Sequence, residues 1–246
     1  MSKLIIANWK MNMSAKAAMN FIPKIIKSKN LVAVAAPYTY LKRLQNKLPK
    51  YIKLSGQDVS VYESGSKTGD ISAKMLKETG CAYCIVGHSE RRIFKHETDK
   101  EINDKILNLL KVKIIPVLCV GENISQKRLG QTNKVLSKQL DGALNNIKKP
   151  GNFVIAYEPV WAITTFQKGK IKKSASVQDI KLAHVFIKQW LNKHFGREGK
   201  KIMVLYGGTV NPKNSFDILK LKEVDGALVG AASLKVSSFN AIIKFN

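Results

Sequence analysis

Eight short apolar runs recur along this chain, and they constrain its fold more than any other feature. They are Leu4–Ala7, Val32–Ala35, Ile52–Leu54, Cys84–Val86, Ile114–Val120, Phe153–Ala156, Ile202–Leu205 and Ala227–Val229. Most are continuous rather than alternating, as in parallel strands buried on both faces. Pro116, inside the fifth run, goes against a central strand because it lacks a ladder N–H.

Helical patterns lie between the runs. Over 98–111, Thr98 can cap a helix on which Ile102, Ile106, Leu109 and Leu110 share one face. Over 135–147, Leu136, Leu140, Ala143, Leu144 and Ile147 form a stripe. Ser176 and Asp179 read as a capping box before a helix carrying Ile180, Ala183, Ile187 and Leu191. Asn211 and Pro212 read as N-cap and first helical residue.

Eight strand–helix units in 246 residues with 45% hydrophobic content predict an α/β protein, a single (β/α)8 barrel domain over residues 1–246. The pattern alone also admits a doubly wound sheet, although Asn8-Trp9-Lys10, not a G-x-G-x-x-G motif, follows the first run. No run reaches the roughly 18 apolar residues of a membrane span. The N-terminus lacks the features of a signal peptide, so a cytoplasmic protein without membrane attachment is expected.

Cys81, Cys84 and Cys119 are too few, and odd in number, for a disulfide framework. The lone C-x-x-C of Cys81 and Cys84 reads as two small residues entering a buried strand. Lys plus Arg total 42 against 17 acids, a formal net charge of +25. The basic residues are nearly all Lys, the arginines being Arg43, Arg91, Arg92, Arg128 and Arg197. With few planar Arg forks, scattered along the chain, and no basic arm, no specific nucleic-acid partner is expected. A solvated Lys-rich surface is the expectation, and its field would also attract small anions.

In a barrel the chemistry collects beyond the C-terminal strand ends. After the first run stand Asn8 and Lys10; after the fourth, Gly87-His88-Ser89-Glu90-Arg91-Arg92; after the sixth, Tyr157-Glu158-Pro159-Val160-Trp161. The seventh and eighth runs lead into Tyr206-Gly207-Gly208-Thr209 and Gly230-Ala231-Ala232-Ser233. Each signal is weak alone. Together they bring a cation, an imidazole and a carboxylate to one mouth, with two Gly-rich turns whose N–H groups suit a phosphate. That set fits proton transfer beside a carbonyl of a phosphorylated substrate.

The segments Ala7–Asn12, Gly87–Arg92 and Ala156–Ala162 resemble motifs of the triosephosphate isomerase family. So do Gly56–Ser60, Thr68–Ser72, Pro116–Glu122 and Asp225–Gly230, all in family order. The resemblance implies a cytoplasmic homodimer with no metal or organic cofactor, which interconverts dihydroxyacetone phosphate and D-glyceraldehyde 3-phosphate. It implies Glu158 as base, His88 as electrophile, Lys10 as the charge near enediolate and phosphate, and Asn8 as a polar partner. The family is itself a standard example of a carboxylate base working with a neutral imidazole, so these two roles come with the resemblance. Glu90 is implied behind Lys10 and His88, and Thr68 on a loop that enters the neighbouring subunit. Thr164, Thr209, Gly230 and Ala231 are implied at the phosphate.

Two departures stand out. The family's Ala-Ile-Gly-Thr-Gly-Lys lid is here Ala162-Ile163-Thr164-Thr165-Phe166-Gln167, followed by a longer, Lys-rich stretch to Lys173. Residues 164–173 are expected to close as a longer, differently hinged flap. Thr209 replaces a usual Ser, and Ala231 a usual Gly, which would crowd the phosphate or exclude a positive φ. The competing reading is a barrel that has lost catalysis and serves as a binding or scaffold protein, and its motive is the altered lid.

Overall fold

The computed structural model describes residues 2–147, 153–166 and 174–245, without the side chain of Thr164. Eight parallel strands close into one barrel in sequential order. They are β1 Leu4–Asn8, β2 Leu31–Ala35, β3 Ile52–Gly56, β4 Cys81–Val86, β5 Ile115–Val120, β6 Val154–Tyr157, β7 Val204–Tyr206 and β8 Gly226–Val229. Closure is made by β1, which pairs with both β2 and β8.

The continuous apolar runs have a direct cause. Leu4, Ile6, Ala33, Ala35, Ile85, Val117, Cys119, Ala156, Leu205 and Leu228 pack inside the barrel. Their neighbours Ile5, Ala7, Val32, Val34, Val86, Leu118 and Ile155 face a second layer of apolar side chains contributed by the helices. Each strand therefore buries both faces. Pro116 is accommodated because it pairs with Cys84 of β4, while the β5–β6 pairing begins only at Val117. Its missing N–H falls before the second ladder starts.

The helices are α1 Ala15–Phe21, α2 Leu41–Gln45, α3 Ala73–Glu78, α4 Ser89–Phe94, α5 Asp99–Lys111, α6 Ile124–Arg128, α7 Thr132–Ala143, α8 Val177–Gly199, α9 Ser215–Leu219 and α10 Val236–Ile243. Both Thr98 with Glu101 and Ser176 with Asp179 form reciprocal capping boxes, so α5 and α8 start where their sequences predict. Two boundaries differ from the sequence expectation. The stripe over 135–147 belongs to a helix that ends at Ala143; Asn146 takes a positive φ of 59°, and Leu144 and Ile147 stay buried beyond the helix. Asn211 does not cap a helix beginning at Pro212. Its side chain accepts the N–H groups of Lys213 and Asn214 in a turn, and α9 begins at Ser215.

The C-x-x-C pair is buried. Burial pushes the Cys81 thiol up to about 11 and Cys84 well above its ordinary value, so neither is a ready thiolate. No helix among the described residues is long and apolar enough to cross a membrane.

Candidate active site

A cavity of about 350 Å3 opens at the C-terminal end of the strands. Asn8, Lys10, His88, Glu158, Thr209, Gly230 and Ala231 all line it. Each arrives by the route read from the sequence, at the end of an apolar strand or within three residues of it.

Lys10 leaves β1 with a positive φ of 51°, an uncommon conformation for a residue with a side chain. Its N–H bonds to Asn8 Oδ1 at 3.1 Å, and Gln57 Nε2 donates to its carbonyl at 2.8 Å. Gln57 also reaches Ala35 O at 3.0 Å, so one amide ties the β1 and β2 ends together. The ammonium Nζ lies 2.7 Å from Glu90 Oε1 and donates to Thr165 Oγ1 at 3.3 Å.

His88 is the N-cap of α4, and its Nδ1 accepts the N–H of Glu90 at 3.2 Å. An imidazole nitrogen that accepts carries no proton, so the ring's proton sits on Nε2. Nε2 lies 3.0 Å from Glu158 Oε1. Burial pushes the His88 pKa down, but the Glu158 carboxylate, with help from Glu90, brings it back above the ordinary histidine value.

Glu158 follows β6 and is almost wholly buried. Burial pushes its carboxyl up, but His88, the Ser89 N–H and Lys10 outweigh this and hold it below the usual carboxylate range. The Ser89 bond to Oε2 measures 3.0 Å. Two glycines make room for this residue, one at its backbone and one at its side chain. A Cβ on Gly121 would come within 1.9 Å of the Glu158 carbonyl oxygen, and one on Gly207 within 2.8 Å of its Cγ.

Thr209 donates its hydroxyl to Ala162 O at 2.7 Å, tying the β7 turn to the segment after β6. Ala231 opens a 3-10 turn, Ala231–Leu234, and is not among the residues with positive φ. The expected φ conflict at Ala231 therefore does not arise. Glu90 stands behind both Lys10 and His88, with His88 Nδ1 at 3.7 Å from its Oε2. Thr68 is not brought to this mouth; it stands exposed on a loop closed at its base by Ser60 N to Ile71 O and Ser60 Oγ to Asp70. The side chain of Thr164 and residues 167–173 of the expected flap lie outside the described residues.

Sequence reasoning assigned no role to Ser89 or Gln57, which hold Glu158 and Lys10. Both lie inside segments that resemble family motifs, Gly87–Arg92 and Gly56–Ser60, but nothing in those segments says which group each one holds. Phe166, on the segment after β6, packs against Phe94 of α4, their ring centroids 5.7 Å apart.

A parallel barrel with a carboxylate, an imidazole and an ammonium gathered at the C-terminal strand ends is that of a (β/α)8 enzyme. The triosephosphate isomerase family model matches residues 3–246. Triosephosphate isomerases of Francisella philomiragia subsp. philomiragia and Cupriavidus pinatubonensis are each 39% identical to this chain. The first match covers 99% of this chain and 96% of the relative, the second 98% of both. The crystal structure of triosephosphate isomerase from Bartonella henselae superposes with a TM-score of 0.89 at 35% identity, over 98% of each chain. The chain belongs to the triosephosphate isomerase family.

Proposed function

We propose that this enzyme interconverts dihydroxyacetone phosphate and D-glyceraldehyde 3-phosphate, a step of glycolysis and gluconeogenesis. The observation that carries the reading is the meeting of Lys10, His88 and Glu158 in one cavity of about 350 Å3, in a chain of this family.

Glu158 takes a proton from the carbon beside the substrate carbonyl and becomes a carboxylic acid, leaving an enediolate. His88 donates from Nε2 to the developing oxyanion and returns the proton between the two oxygens. Glu158 then delivers its proton to the neighbouring carbon. The upward pull on His88 comes from the Glu158 carboxylate. Once substrate parts the pair, burial and the N-terminus of α4 both favour the neutral ring that this donation needs. Lys10 offsets the negative charge of the enediolate and the phosphate. Asn8 fixes the backbone of Lys10, and Glu90 aims its ammonium. The phosphate rests against the turns at Thr209, Gly230 and Ala231.

The protein is cytoplasmic and works as a homodimer. Met11, 95% exposed beside the site, and the projecting loop bearing Thr68 support a partner-facing surface there. A coupled assay with glyceraldehyde 3-phosphate tests the function directly. Turnover that Glu158→Gln removes is expected; a folded wild-type protein without turnover overturns the reading in favour of a binding barrel.

A further inference from the structure

The two ends of the barrel differ in charge. Of the described lysines only Lys10 lines the mouth. Many others stand at the opposite end, in the turns that lead from helices into strands. Lys24, Lys27 and Lys29 precede β2, Lys47 and Lys50 precede β3, and Lys222 precedes β8. All six are exposed, and none is ion-paired among the described residues. The acids of the described turns are Glu223 and Asp225, and Asp225 is already held by Lys188 Nζ at 2.8 Å. Asp58, Asp70, Glu90, Glu97, Glu122 and Glu158, by contrast, all follow strands at the mouth end.

The cations stand on one bonded platform. β1 pairs with both β2 and β8, so the turns entering those strands flank its start. The Lys3 N–H, just before β1, donates to Asn30 Oδ1 at 2.9 Å, and Lys3 Nζ donates to Leu221 O at 3.3 Å and to Val224 O. Asn30 Nδ2 in turn donates to Ile243 O at 3.1 Å and Phe245 O at 2.8 Å. Lys29, Lys222 and the exposed Lys244 therefore sit on three segments tied to one another.

The relief of this end selects the partner. Residues 79–80, 112–114 and 200–203 complete three of the turns, so they rise little above the strands. The helices end at this face and do not lie across it, so they are not placed to enter a nucleic-acid groove. Lysine also supplies point charges without the planar fork that reads bases. Among these lysines Leu31 is 46% exposed at the start of β2 and Tyr51 37% exposed just before β3, its hydroxyl bonded to Ile25 O at 2.9 Å. A low, cationic face carrying an apolar side chain and a ring suits the headgroup layer of a bilayer, where rings sit at the boundary and lysine stems reach past them.

We propose that the N-terminal end of the barrel docks reversibly on an anionic lipid surface. The contact needs no spanning helix, and no helix among the described residues is long and apolar enough for one. It goes further than the expectation of a chain without membrane attachment, which rests on the lack of a spanning run. It does not depend on the isomerase reading: the catalytic cavity lies at the other end and stays open to solvent while this end is docked.

The test sediments the full chain with vesicles of phosphatidylcholine alone, or with about one-third phosphatidylserine, at about 0.05 M and about 0.5 M salt. Binding to the phosphatidylserine vesicles at the lower salt, release at the higher, and no binding to phosphatidylcholine alone are expected. Reversing three charges together, Lys29→Glu, Lys222→Glu and Lys244→Glu, is expected to weaken binding by about 100-fold or more, since each lysine near such a surface contributes roughly fivefold. kcat/KM with glyceraldehyde 3-phosphate should stay near wild type. Glutamine at the same three positions replaces the reversal if that variant does not fold. The same reversal at exposed Lys16, Lys134 and Lys181, in the first halves of α1, α7 and α8, is expected to retain most of the binding. No binding to phosphatidylserine vesicles overturns the proposal. So does an equal loss in the two triple variants, which would assign the binding to net charge and not to this face. Tighter binding to random-sequence duplex than to the vesicles, lost in the first variant, would make the face a nucleic-acid surface and overturn the lipid reading.

Discussion

Glu158 Oε1 and His88 Nε2 stand 3.0 Å apart, so the base and the proton donor proposed for the site hold each other before any substrate arrives. Each occupies the partner position that the substrate must take: the carbon acid displaces His88 from Glu158, and the carbonyl displaces Glu158 from His88. The contact keeps a buried carboxylate ionised, and it fixes the Nε2–H tautomer.

Replacing the carboxylate with its amide keeps the side chain's size and shape and removes the base, with one oxygen left to accept from either His88 or Ser89. Glu158→Gln is expected to lower kcat by about 10²–10⁴-fold while the circular dichroism spectrum and melting temperature stay close to wild type. His88→Ala should slow turnover as well. A loss of less than about tenfold, in a folded variant, would make His88 structural rather than electrophilic.

His184, on α8, is fully buried with its Nδ1 at 3.2 Å from Glu223 O. Burial lowers its pKa to about 3 from the ordinary 6.5. The unfolded chain therefore binds this proton first. Stability from the neutral ring is complete above pH 6.5 and erodes as pH falls toward 3. At roughly 1.4 kcal/mol per pH unit, about 2 kcal/mol is lost by pH 5. Denaturant titrations at pH 7.5 and pH 5 should show a smaller acid loss in His184→Gln than in wild type. Equal losses would rule out His184 as the source.

The Phe94–Phe166 contact holds the segment after β6 where Thr165 meets Lys10. An aromatic pair is worth about 0.5–1.5 kcal/mol beyond its buried area, or roughly 2- to 10-fold in the population of the held position. Phe94→Ala should therefore release more methylglyoxal per turnover, because a looser cover lets the enediolate expel phosphate into water. Phe94→Tyr should restore the wild-type ratio. An unchanged ratio in Phe94→Ala would show that the contact does not govern the cover.

The net charge of +25 should draw a dianionic substrate toward the mouth. Raising ionic strength shortens the Debye length from roughly 30 Å at 0.01 M to about 10 Å at 0.1 M. kcat/KM is expected to fall across that range when encounter limits it. Comparing several salt anions separates screening from competition for the phosphate site, and a viscosogen establishes whether encounter is limiting. A flat response under encounter control excludes steering.

The amino-acid sequence by itself determined the eight buried parallel strands, because burial on both faces leaves continuous apolar runs, and the starts of α5 and α8, whose capping residues are local; the run pattern alone left a doubly wound sheet open, and the β1–β8 pairing closes the barrel. It also determined the chemical groups of the mouth, since Asn8 ends β1 and Lys10, His88 and Glu158 stand within two residues of a strand end. Where local signals were ambiguous, as at Asn211–Pro212 and the end of α7, packing and a left-handed Asn146 set the boundary. Only the tertiary structure decided what those groups do to one another. The Ser89 N–H on Glu158, the Gln57 clamp on Lys10 and the Phe94–Phe166 contact all join residues far apart in the chain. No periodicity or spacing encodes such contacts, because they depend on how barrel closure brings separate strand ends into hydrogen-bonding and van der Waals range.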